Sequence, residues 1–129
     1  MWRGLVLFWC IRTIIKVNRA WKTLELDAYW QWLQNQRNLC PPLKDDNQIK
    51  FASFWICRLA GRIFPKQSCV LAASSAFLLI NQPIKLTIGV RREGPELFAH
   101  AWAQWPQGQI QLDSQGKYDP LWEISRPSV

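Results

Sequence analysis

Residues 68–113, SCVLAASSAFLLINQPIKLTIGVRREGPELFAHAWAQWPQGQIQLD, read as one helix followed by a strand meander. From Cys69 to Ile80 only Ser74 and Ser75 interrupt an apolar run, which predicts a helix buried on most sides. Ser68 is a good N-cap, Asn81 an acceptable C-terminal residue, and Pro83 forbids continuation. Ile84, Leu86, Ile88 and Val90 then alternate with Lys85, Thr87 and Gly89, the pattern of a half-buried strand. The sequence RREGP at 91–95 is a turn, Glu96 to Trp105 a second strand, and Gln109 to about Asp113 a third. Helix, strand, strand, strand is the expected order, an α+β arrangement in which a helix packs on a small antiparallel sheet.

Chemistry-bearing residues fall at defined places in that stretch. With Ser68 as N-cap, Cys69 takes the first helical position, where unpaired backbone N–H groups and the positive end of the helix dipole favour an anion and hence the thiolate. The competing reading is a buried cysteine acting as a small hydrophobe. In the second strand Leu97, Ala99, Ala101 and Ala103 share one face, and Phe98, His100 and Trp102 the other. If Ile110 and Leu112 pack with the alanines, the hairpin loop holds an even number of residues. A loop of Trp105 to Gly108 pairs Gln104 with Gln109 and sets His100 opposite Asp113, with Cβ atoms roughly 5 Å apart. Asp119 is the fallback partner for a longer hairpin, and Trp102 reads as packing. A histidine facing an aspartate, in a chain with a cysteine at a helix start, is the layout of nucleophilic cysteine catalysis.

Before Ser68 the chain reads as helical. Residues 3 to 19 form a basic amphipathic helix, with Arg12, Lys16 and Arg19 on one face and Leu5, Phe8, Ile11 and Ile15 on the other. A second helix spans about Leu24 to Gln36, carrying Leu26, Tyr29, Trp30 and Leu33, and stops at Cys40-Pro41-Pro42. A third runs from about Gln48 to Ile63, with Phe51, Trp55, Ile56, Leu59 and Ile63 at helical spacing. No strand is expected there. Residues 1–66 thus form a helical basic segment and 67–129 the helix with its strands, in one domain of 129 residues.

Composition sets the outer limits. An apolar share of 49% with 19% charged residues fills a core and is unlike a disordered chain. The +7 charge is confined to residues 1–66, which hold 11 basic and 4 acidic side chains, against 5 and 5 beyond. A single histidine excludes a two-histidine zinc site, and cysteines at 10, 40, 57 and 69 offer no CxxC pair, so neither metal nor cofactor is expected. The apolar run Leu5 to Ile11 is cut by Arg12 and Lys16 well short of the ~20 residues of a membrane span, and no signal-cleavage pattern follows. The expected setting is the cytoplasm, with reduced thiols.

The cysteine opening an apolar helix, the proline-led strand ending in Ile88-Gly89-Val90, the Ala99-His100-Ala101-Trp102 strand and Asp113 resemble the transglutaminase-like cysteine peptidases that process lasso peptide precursors. The likeness covers roughly residues 48–113; the first 45 residues share only their helical, basic character. It implies a papain-like, transglutaminase-like core preceded by a helical half. Cys69 is then the nucleophile that removes the leader, His100 the general base and Asp113 its orienting partner. The backbone N–H of Cys69 is a natural oxyanion donor, and the Gln67 side chain a speculative second one. The resemblance further implies a stand-alone peptidase with three partners: the precursor, a separate leader-binding recognition protein, and the cyclase that closes the released core. The basic, tryptophan-rich half is a candidate docking surface for them. Two other functions stay open. One is a basic tryptophan-rich protein that binds membrane or nucleic acid, although no nucleic-acid motif supports it. The other is an acyl transferase on the same Cys-His-Asp layout, as in arylamine acetyltransferases or true transglutaminases, whose chains are usually longer.

Overall fold

The computed structural model describes residues 2–37, 41–65, 67–110 and 119–127. In chain order they form α1 (Trp2–Thr23), α2 (Leu26–Arg37), α3 (Asp46–Ile63), α4 (Ser68–Leu79), β1 (Ile84–Glu93), β2 (Glu96–Trp105), β3 (Gly108–Ile110) and β4 (Asp119–Arg126). The architecture is α+β: helices in the first half, then an antiparallel sheet of order β3-β2-β1-β4.

Helix α4 is the centre of the molecule. It packs against α1, α2 and α3 on one side and against β1, β2 and β3 on the other. Nine of its residues are buried, from Val70 to Phe77 and again at Leu79, as an apolar surface all round requires. One of its two serines has a partner at hand: the Tyr29 hydroxyl on α2 donates to Ser74 Oγ at 2.6 Å.

The end of α4 is closed by groups far away in sequence. Arg37, 1% exposed, donates through Nη1 to the Phe77 and Ile80 carbonyls (2.6 and 2.8 Å) and through Nη2 to those of Gln82 and Pro127 (2.9 and 3.1 Å). Leu43 N–H donates to Leu79 O at 2.9 Å, and Asn81 N–H to Leu43 O at 2.7 Å. Orphan carbonyls of the last helical turn are thereby satisfied without solvent.

In the sheet, Leu86 pairs with Ala103 and Ile124, Ala103 with Ile110, and Ile88 with Ala101. All six are buried. This row is the apolar face that the strand alternation anticipates. Gly94, at φ 60°, supplies the left-handed residue between β1 and β2.

Three elements differ from the sequence reading. Asp45 caps α3, accepting from the Asn47 and Gln48 N–H groups at 2.7 and 3.4 Å, so the helix opens at Asp46 and not at Gln48. Strand β4 has no counterpart in the expected order; only Ile124 of its eight residues is buried, too weak an alternation to read. In α1 the core-facing stripe is Val6, Cys10, Ile14, Val17 and Ala20, whereas Leu5, Phe8, Ile11 and Ile15 stand 40 to 57% exposed. Almost every position from Leu5 to Val17 is apolar, so the helix has two apolar stripes, and packing on α3 and α4 uses the one with the smaller side chains.

Candidate active site

Helix α4 begins at Ser68, with Gln67 as the capping residue (φ −121°, ψ 13°) and no side-chain cap. This corrects the expected Ser68 cap: the Ser68 hydroxyl instead donates back to the Pro65 carbonyl at 3.4 Å. Cys69 is therefore the second helical residue. It remains in the first turn, where backbone N–H groups lack intrahelical acceptors until Leu71 N–H reaches Gln67 O at 3.0 Å. The thiol is half-buried and packs at the margin of the core.

The other described cysteines are placed differently. Cys10 is fully buried, and burial pushes its thiol up to about 12; Cys57 is raised by the same cause. Neither is suited to act as a thiolate at neutral pH. Cys40 lies outside the described residues.

His100 sits on β2, 2% exposed, with the half-buried Trp102 stacked on it at 5.8 Å between ring centroids and 28° between planes. Both belong to the strand face that alternates with Ala101 and Ala103. His100 pairs with Gly89 of β1. Helix α4, whose first turn holds Cys69, packs against both β1 and β2.

The hairpin has the expected register. Gln104 pairs with Gln109, Ala103 with Ile110, and Trp105 with Gly108, closing on Pro106 and Gln107. The Trp105 indole lies against Gly108 so closely that a Cβ there would come within 2.9 Å of the ring, which reserves the position for glycine. Asp113 lies outside the described residues. Asp119 stands exposed in the row of Ala99 and Val90, two strands or ~10 Å from β2 and out of phase with His100, so the register does not bring it to the imidazole. Gln67 lies half-buried beside Cys69, its backbone N–H bonded to Phe64 O at 3.1 Å and its side chain outside any cap.

A cleft of about 490 Å³ lies elsewhere: Pro83, Lys85, Gln104, Trp105 and Arg126 line it at the far end of the sheet. Size alone does not locate the chemistry. Among the described residues no group of three His, Cys, Asp or Glu side chains is arranged for a metal ion. Sequence reasoning missed Arg37, which holds the opposite end of the same helix; a lone arginine before a proline pair gives no local sign of that role.

A family model described as the transglutaminase-like superfamily matches residues 20–126. No curated protein and no solved structure matches the chain.

Proposed function

The chain belongs to the transglutaminase-like superfamily, whose members are typically cysteine-dependent enzymes, and from that premise we propose a leader peptidase of lasso peptide biosynthesis. The observation that carries this reading is that the buried helix with Cys69 in its first turn packs against β2, the strand that bears His100. Asp113 is proposed as third member from strand parity; the described pairs of β2 and β3, which end at Ile110, have the register that parity assumed.

In the proposed reaction the His100 imidazole takes the Cys69 thiol proton, and the thiolate attacks the carbonyl at the leader–core junction. The Cys69 backbone N–H, and by proposal the Gln67 side-chain amide, stabilise the oxyanion. The intermediate collapses to a leader thioester while His100 returns the proton to the departing amine of the core. Water activated by His100 then hydrolyses the thioester, releasing the leader acid and regenerating the thiol. Asp113 keeps the imidazole in the required tautomer. The released core is a substrate for a cyclase, and a separate recognition protein presents the leader; the reaction takes place in the cytoplasm, where the thiol stays reduced.

Incubation with the precursor and leader-binding protein encoded beside it, read by mass spectrometry, tests the reading. Leader acid and free core are expected from the wild type, none from Cys69→Ala, and a rate lowered roughly a thousandfold in His100→Ala. An intact precursor with wild-type enzyme and partner present overturns it. An acyl group transferred to an added amine, without leader acid, assigns acyl transfer on the same residues.

A further inference from the structure

The exposed side of the helical half carries a second kind of surface. Of the nine large hydrophobic side chains that stand exposed among the described residues, seven belong to α1 and α3: Trp2, Leu5, Phe8, Ile11, Ile15, Phe54 and Ile63. At about 100° per residue, Leu5, Phe8, Ile11 and Ile15 fall with Arg12, Lys16 and Arg19 in one arc of about 140°, not on opposite faces as the sequence reading had them, and diametrically opposite the stripe that meets the core. Between α1 and α3 a wholly apolar groove of about 250 Å³ opens, lined by Ile11, Ile15, Leu59 and Ile63 among others.

Cations border this surface and acids are absent from it. Helices α1 and α3 carry eight basic residues and one acid, Asp46, which lies in the first turn of α3. Lys22 lies 5.9 Å over the Phe64 ring and Arg58 5.8 Å over Phe54, so their charged heads stay beside the aromatic rims.

We propose that this face docks the protein on an anionic lipid bilayer, with α1 lying in the plane of the headgroups and Leu5, Phe8, Ile11 and Ile15 inserted among the upper acyl segments. Charge complementarity selects this occupant. A second copy would set one cationic face against another. A polynucleotide has no use for aliphatic side chains that cannot stack on bases. A partner helix needs a long recess, and the groove holds only one or two side chains. Fluid acyl chains, by contrast, accommodate a convex ridge of protruding side chains, and the flanking arginines and lysines meet lipid phosphates. No helix among the described residues is long and apolar enough to cross a membrane, so contact is peripheral. The inference is independent of the peptidase reading.

Co-sedimentation of the full chain with phosphatidylcholine vesicles, with and without phosphatidylglycerol, tests it. Binding is expected on the anionic vesicles only. Phe8→Ser and Ile15→Ser, both at exposed positions, should each weaken it about tenfold, and Arg12→Gln about fivefold. Absence of binding to anionic vesicles overturns the proposal, as does vesicle binding that Phe8→Ser leaves unchanged. Equally tight binding of heparin or of an oligonucleotide by wild type and Phe8→Ser overturns it too, because charge alone then explains the surface.

Discussion

Arg37 shows how far one residue's role can be from its sequence context. It is a cation buried among carbonyls and against the Phe77 ring at 5.1 Å, and its guanidinium makes four hydrogen bonds that join α4, the connection to β1 and the residue after β4. Burial, and then the nearby Arg126, lower its pKa to about 10, which still leaves it charged at neutral pH. The arginine fork suits this task because two nitrogens span carbonyls in several directions. Arg37→Met strands those acceptors, and urea unfolding should show a loss of about 2 to 4 kcal/mol. Arg37→Lys should recover less than half, since a single ammonium nitrogen cannot reach all four. The candidate catalytic residues follow a different logic: Cys69 and His100 were legible because helix start and strand parity are local properties.

At the scale of elements, α4 was readable to within one residue at each end, because an apolar run bounded by serine, asparagine and proline admits few alternatives. The meander was readable for the same reason, down to the pairing of Gln104 with Gln109. Helix α1 was not. Its sequence offers two apolar stripes, and periodicity cannot say which one a partner helix will cover. Strand β4 escaped because it lies at the sheet edge and buries one side chain. The tie between α2 and α4 was also invisible, since Tyr29 and Ser74 are 45 residues apart. Tyr29→Phe and Ser74→Ala should each cost about 1 kcal/mol, and a double-mutant cycle by urea denaturation should show that the two losses are not additive. Additive losses would mean that the 2.6 Å contact contributes nothing.

For the whole molecule, buried titrating groups set an alkaline limit. The Cys10 thiol ionises near its ordinary 9.0 in the unfolded chain and only at about 12 in the folded one. Its contribution is complete below pH 9 and is lost as pH rises from there, at about 1.4 kcal/mol per pH unit. Tyr29 is raised by burial and acts in the same direction from about pH 10, while Arg37, lowered to about 10, opposes both above that pH. The clean window is therefore pH 9 to 10. Cys57, raised by the same cause, acts in that window too, so urea midpoints should fall across it for the wild type, fall less for Cys10→Ala and stay nearly level when Cys57→Ala is added; parallel slopes for the wild type and Cys10→Ala would remove Cys10 from the account.

The sequence by itself determined the α+β order, the central helix, the candidate nucleophile and the hairpin register, because each follows from short-range periodicity and turn chemistry. Tertiary structure decided the rest. Which stripe of α1 enters the core, what closes the end of α4 and where an edge strand joins the sheet depend on surfaces distant in the chain. A linear pattern records that a side chain is apolar or charged, but not whether another element arrives to cover it.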